Sequence, residues 1–388
     1  MKLNKIKKHI LLLTSGGRVA TTKSPNGGIF MLNQAKILSK EFEKVAFLST
    51  GYVEFRNLFE KDNYQITEKI QELVIWRNYK KHWFPRRYLS YEYQKNIYSK
   101  IALKQFAKYI SIYGTPDIIH AHNIIFSGIV AEKIYKIYNI PFVITEHSSA
   151  FYMNVYSKSF ISKIKRDIKN CDLISTVSPN NSSIIKNFFS KKTYVLPNIV
   201  EDFFTFKRSN VNSKFEFVCV ANLIPMKNVK NVINAFKDVI KDHKARLTIV
   251  GDGPLKNEIN SLIYKLKIQV NTELIDYLPP NKLSKKLNAS NCLILVSEYE
   301  TFGVVVIEAL ASGIPVIVSN KVGSNFHINS SNGLIIEKNK HFELVSAMKN
   351  IIENYKSFNR RKISEDTINK FGKEAFINNV KTLYDLKW

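Results

Sequence analysis

The hydrophobic positions along this chain alternate between two patterns. Short, nearly continuous apolar runs occur at residues 10–14, 44–49, 73–76, 117–121, 142–145, 172–177 and 193–196. Strands covered on both faces read this way. Between several of them, apolar residues recur at helical spacing, at 28–40, 92–111, 124–138, 158–170 and 180–189. The alternation restarts after a polar stretch. Strand-like runs at 215–221, 246–250, 272–276, 292–297, 315–319 and 333–336 enclose helical patterns at 229–241, 255–266, 280–289 and 301–311. Helical segments at 342–355 and 360–386 close the series. Such patterning predicts α/β architecture, with two Rossmann-like, doubly wound domains facing a central cleft. The expected boundaries are 1–198 for the first domain, 199–214 for a linker and 215–366 for the second. Residues 367–388 would form a C-terminal helix packing back towards the first domain.

Composition narrows the class. The chain has 388 residues, more than one core normally holds. Its net charge of +26 is concentrated in residues 1–200, where 31 Lys and Arg face 13 Asp and Glu. That field favours anionic partners. No helix-turn-helix, zinc module or RNP-type strand is present, so nucleic acid is not the expected partner. Cys171, Cys219 and Cys292 are far apart and sit beside or inside apolar runs, which reads as buried thiols in a reducing compartment. No run reaches the roughly 20 apolar residues a membrane span needs. The expected location is cytoplasmic, at most peripheral on the inner face of the cell membrane. Two segments, 76–88 and 158–169, mix cations with aromatic and aliphatic residues and could meet an anionic bilayer.

The chemistry-bearing stretches fall at the ends of strands, where α/β folds bind ligands. The stretch 297–315 stands out. Glu300 precedes a helix start at Gly303, and Glu308 lies one turn past Val304. Carboxylates accept hydrogen bonds from sugar hydroxyls, and free amides with a positive dipole end suit phosphate. A sugar nucleotide fits that set; Glu300 as a helix cap and Glu308 as a solvated surface group is the competing reading. Asn222 and Lys227 follow the first strand of the second domain, and a lysine at a helix start is unfavourable unless it serves an anion. Gly251 lies in a strand-to-helix turn. In the first domain, Gly27 and Gly28 join strand to helix. His120 and His122 share one strand face, and Glu146 and His147 end the next strand. A His-x-His pair can bind metal, but no third ligand stands at telling spacing.

Taken in order, PDIIHAHN, VITEHSS, the 222–227 segment, IVGDGPL and ETFGVVVIEALASGIPV resemble family 4 of the nucleotide-sugar-dependent, retaining glycosyltransferases, which have the GT-B fold. The resemblance implies that Glu308 binds the donor ribose and that Glu300 lies near the donor sugar. Phe302, Gly303, Val304 and Val305 would supply amides to sugar and diphosphate. Lys227 would bind the diphosphate, His147 would act from the first domain, and Gly27 and Gly28 would form a loop beside donor and acceptor. Many relatives carry Arg where Asn222 stands, and a second Gly with an acidic residue where Ser324-Asn325-Phe326 follow Gly323. The implied catalytic set is His147, Lys227 and Glu300, with His120, His122 and Glu146 on the acceptor side. No cofactor or metal is implied. The expected activity moves a sugar from a UDP- or GDP-linked donor to a glycan or lipid-diphosphate-linked acceptor. The alternatives are a nucleotide-sugar epimerase on a related scaffold and a nucleotide-binding protein without catalysis.

Overall fold

Ile10, Leu11, Leu12 and Leu13 are all buried, so the strand they form has no face left for solvent. A parallel strand with helices on both sides meets that requirement. The computed structural model describes residues 5–15, 29–53, 65–70, 73–81, 89–207, 214–337 and 339–387. The chain divides into two units: Met1–Leu196 with Ile377–Trp388, and Pro197–Phe376.

In the first unit the elements run β1 (Ile6–Ser15), α1 (Ile29–Glu41), β2 (Phe42–Val53), β3 (Gln65–Ile70), β4 (Leu73–Lys81), α2 (Tyr91–Tyr113) and β5 (Ile118–His122). They continue as α3 (Ile129–Tyr138), β6 (Phe142–Glu146), α4 (Lys158–Asp167), β7 (Leu173–Thr176), α5 (Pro179–Phe189) and β8 (Lys192–Val195). The sheet order is β3-β4-β2-β1-β5-β6-β7-β8, parallel except for the antiparallel β3–β4 pair at the edge. Thr14 pairs with His122 and His122 with Thr145, so β1, β5 and β6 end side by side.

The second unit runs β9 (Phe215–Val220), α6 (Val229–Val239), β10 (Ala245–Val250), α7 (Lys256–Lys265), β11 (Thr272–Ile275), α8 (Pro280–Asn288) and β12 (Cys292–Leu295). Then come α9 (Val304–Ala311), β13 (Val316–Ser319), β14 (Gly333–Ile336), α10 (His341–Glu353), α11 (Arg360–Phe371) and α12 (Lys373–Asp385), whose last residues belong to the first unit. Its sheet, β11-β10-β9-β12-β13-β14, is parallel throughout. In each sheet the order reverses beside the first strand, and ligands bind outside the carboxyl ends at such a point.

Several expectations need correction. Residues 124–128 are not the start of a helix: Asn123 and Phe126 have φ of 74° and 69°, and α3 begins only at Ile129. The segment 360–386 is two helices, because Gly372 ends α11 with an extended ψ of 179°. The helix expected from 301 starts at Val304, since Gly303 is left-handed at φ 83°. Part of the supposed linker is core. Val200 and Phe204 are buried, and the Val200 N–H donates to the Phe371 carbonyl at 2.9 Å. Among the described residues no helix is long and apolar enough to cross a membrane.

Candidate functional site

The second unit assembles its site where β9 and β12 end. A short 3-10 turn, Pro225–Lys227, follows β9, and the Glu298 N–H donates to the Met226 carbonyl at 2.8 Å, tying the two strand ends together. Across that tie Lys227 Nζ donates to Glu300 Oε2, an ion pair with both side chains mostly buried. Glu300 is itself fixed by its backbone: its N–H donates to Lys321 and its carbonyl accepts from Gly323. It therefore does not cap α9. With the chain left-handed at Gly303 and no side chain capping the helix, the first amides of α9, at Val304 and Val305, remain for a ligand. A Cβ at position 303 would lie 3.0 Å from Val322 Cγ1 and 3.2 Å from Glu300 Cγ, so the glycine is needed for space as well as for φ.

Glu308 stands one turn further along α9 and is partly buried. Burial pushes its carboxyl up to about 8, and the nearby Glu201 charge adds to the shift. Neither carboxyl oxygen has a hydrogen-bond partner among the described residues. A carboxyl held in that state lacks a partner that a diol could supply. Asn222 is exposed at the end of β9. Gly251, by contrast, is architectural: a Cβ there would fall 1.9 Å from the Ala221 carbonyl oxygen, so it lets the β10–α7 turn close on β9. The Phe302 ring is buried against Phe371, which leaves only its backbone for a ligand.

In the first unit the ends of β5 and β6 bring three imidazoles together. His120 Nε2 is 2.6 Å from Thr145 Oγ1 and Nδ1 is 3.0 Å from the Tyr384 hydroxyl. Thr145 in turn bonds Ser175. Burial, with the His147 charge second, lowers the His120 pKa to about 3. His122 is also buried, and burial holds its pKa well below the usual imidazole value. His147, partly buried, is lowered to about 4 for the same reason. Burial thus favours the neutral form of all three rings. The Glu146 carboxylate is buried and accepts from the Ile124 N–H at 2.8 Å and the Ser148 N–H at 2.7 Å.

These contacts revise the acceptor-side set. His120 and Glu146 have their polar atoms committed inside the protein, where they brace the strand ends. Glu146 pins the left-handed chain after β5, which costs energy to hold. His122 lies behind His147. Of the imidazoles, His147 is the one at the surface of this site. Beside it is a residue the pattern concealed: Phe30, at the start of α1, is 39% exposed and packs its ring against His147 at 5.1 Å. Gly27 and Gly28 lie outside the described residues, as do residues 82–88 of the aromatic–basic segment. Trp76, from the same segment, has Lys108 of α2 over its ring.

Two family profiles match the chain: "Glycosyltransferase Family 4" over residues 64–202 and "Glycosyl transferases group 1" over residues 200–370. An uncharacterised glycosyltransferase of Methanocaldococcus jannaschii is 32% identical over 225 residues, 52% of this chain and 55% of the relative. The chain thus spans little more than half the length of that relative. UDP-Gal:alpha-D-GlcNAc-diphosphoundecaprenol alpha-1,3-galactosyltransferase of Escherichia coli is 25% identical over 69% of this chain and 75% of the relative. Among solved structures, sucrose-phosphate synthase of Thermosynechococcus elongatus superposes with a TM-score of 0.77 at 19% identity, covering 98% of this chain and 99% of that one.

Proposed function

Because this chain belongs to glycosyltransferase family 4 and has the GT-B fold, we propose that it transfers a sugar from a nucleotide diphosphate sugar to a glycan or lipid-diphosphate-linked acceptor, in surface polysaccharide or glycoconjugate synthesis. The observation that carries this reading is the Lys227–Glu300 pair beside the uncapped start of α9, with the unpartnered Glu308 one turn on. In this reading Glu308 accepts from the ribose diol, and the Val304 and Val305 amides and Lys227 take the diphosphate. Glu300 holds Lys227 at its post and turns towards the sugar when phosphate oxygens replace it. The donor nucleotide is UDP, in line with the Escherichia coli relative's UDP-galactose.

In the transfer step the bond from the anomeric carbon to the diphosphate oxygen breaks, and the acceptor hydroxyl forms the new bond on the same face. The acceptor proton passes to a departing phosphate oxygen, so no carboxylate acts as a nucleophile and configuration is retained. Lys227 and the amides stabilise the charge that develops on the leaving group. That arrangement makes a divalent metal unnecessary.

The test is a panel of UDP- and GDP-sugars with lipid-diphosphate acceptors, followed by NMR of the product anomer. Lys227→Ala is expected to lower turnover by about a hundredfold or more, and chelator is expected to leave the rate unchanged. An inverted product, a rate abolished by chelator, or isomerisation of the donor without acceptor would each overturn the corresponding part.

The acceptor side extends to an anionic membrane surface. Helix α4 carries Lys158, Lys163, Lys165 and Arg166, all exposed and none in an ion pair among the described residues. Next to it Met153 and Val155 are exposed apolar residues, and a pocket of about 780 Å³ opens between Lys158, Lys165, Val155, Ile161 and Phe188. Cations around a small apolar tip match a layer of anionic headgroups. Vesicles containing phosphatidylglycerol should bind the protein, and Lys158→Glu with Lys165→Glu should weaken that binding by at least about tenfold. Equal binding to neutral phosphatidylcholine vesicles would exclude this surface.

A further inference from the structure

The three imidazoles of the first unit lie in a stack. Ring centroids are 4.6 Å apart between His120 and His122, at 18° between planes, and 5.2 Å apart between His122 and His147, at 17°. The outer pair is joined edge to edge, with His122 Nδ1 2.9 Å from His147 Nε2. The other His122 nitrogen, Nε2, is buried and has no partner among the described residues.

A bond between two imidazole nitrogens needs one proton, and each neutral ring carries one. If the bridging proton belonged to His147 Nε2, His122 would hold its own proton on Nε2, as a buried N–H with nothing to accept it. If the proton belongs to His122 Nδ1, the unpartnered Nε2 is only a bare lone pair, and His147 keeps its proton on Nδ1. An orphaned buried donor is the rarer and costlier defect.

We infer that His122 is a positioning residue: it donates from Nδ1 to His147 Nε2 and fixes His147 as the tautomer that presents an Nδ1–H donor to a substrate oxygen. The inference rests on the reading of His147 as the group that meets the sugar substrates. The Nε2 lone pair of His147 is occupied by His122 and its Nδ1 holds a proton, so His147 has no free lone pair with which to remove the acceptor proton. It acts as a hydrogen-bond donor only, towards an oxygen that accepts or gains negative charge. His120, anchored by Thr145 and Tyr384, and Phe30 on the opposite side hold the rings in register.

The tautomer can be read directly. Long-range proton–nitrogen spectra of protein labelled with nitrogen-15 histidine, assigned against His147→Phe, should show His147 protonated on Nδ1 in the resting protein. Replacing His122 by Phe keeps a flat ring in the stack and removes the donor. His122→Phe is expected to lower kcat by about a hundredfold with little change in donor KM, and to release His147 into a mixture of tautomers. His122→Asn, whose amide N–H stands near the Nδ1 position, should restore kcat to within about tenfold of wild type. A resting His147 protonated on Nε2 overturns the inference, as does His122→Phe with unchanged kcat, or His122→Asn as impaired as His122→Phe. If the wild-type protein transfers no sugar, the proposed function fails, while the spectra still decide the tautomer.

Discussion

At the scale of single residues, the proposed donor site is built from charges held in unusual states. Glu308 is the clearest case. Its folded pKa is raised, to about 8 from 4.5, so the fold favours the protonated carboxyl. Stability from that preference is fully present below pH 4.5 and is lost as the pH rises through 8. Glu308→Gln should therefore match wild type in thermal unfolding at pH 4.5 and exceed it at pH 9. Binding runs the other way. A ribose diol donates two hydrogen bonds to a carboxylate, so UDP affinity should rise with pH, by up to about tenfold per unit, and level off above 8. In Glu308→Gln that pH dependence should vanish, which calorimetry at several pH values would check. The sequence pointed to Glu300, Glu308 and Lys227 as one site through spacing and order. It could not point to the direct Lys227–Glu300 pair, because the two lie 73 residues apart and meet only once β9 and β12 are neighbours. Glu201, whose charge reaches Glu308, looked like linker. His120 and His122 were legible as one strand face. That Tyr384 completes their support was not, since no local pattern connects positions 264 residues apart.

At the scale of elements, continuous apolar runs identified the parallel strands, because burial on both faces leaves little room for polar residues. Strand β3 (QITEKI) escaped that rule. It pairs antiparallel at the sheet edge, where Thr67, Glu68 and Lys69 are exposed, so no apolar run marks it. Helix starts were less legible than helices. The change from turn to helix at Gly303 depends on a left-handed residue wedged between Val322, Glu300 and Leu295. Gly303→Ala combines an unfavourable φ with those close contacts, and should destabilise the second unit by roughly 1–2 kcal/mol or more. Denaturant unfolding would measure the loss, and UDP affinity should fall with it as the α9 amides shift. An unchanged midpoint would show that the turn tolerates a side chain. The segment after β5 has the same character. Helical spacing from 124 onward was real, but Asn123 and Phe126 are left-handed there, held by a buried carboxylate that belongs to another strand.

At the scale of the whole molecule, two successive α/β units were readable from the pattern alone, since the alternation of strand and helix runs twice. The sequence also placed a C-terminal helix back towards the first domain, but not the partners it meets there. Tyr384 is buried in the first unit with its hydroxyl on His120, and Lys387 pairs with Asp172. Removal of residues 377–387 should therefore lower the unfolding midpoint of the first unit, which denaturant unfolding would measure, and impair transfer. Tyr384→Phe isolates the hydroxyl and should cost about 1 kcal/mol or more, because it leaves a His120 nitrogen buried without its partner. In covalent terms the second unit is an insertion within the first, entered at residue 197 and left at 376. A ribosome adding about 5–20 residues per second therefore makes all eight strands of the first sheet early. It then spends roughly 10–35 s on the inserted unit before the segment that completes the first emerges. During that interval Val380, Leu383 and Tyr384, which are buried in the folded first unit, are missing from it. The first unit is thus expected to stay incomplete, and more open to proteases, until residues 377–387 have been made, which limited proteolysis of stalled nascent chains would check.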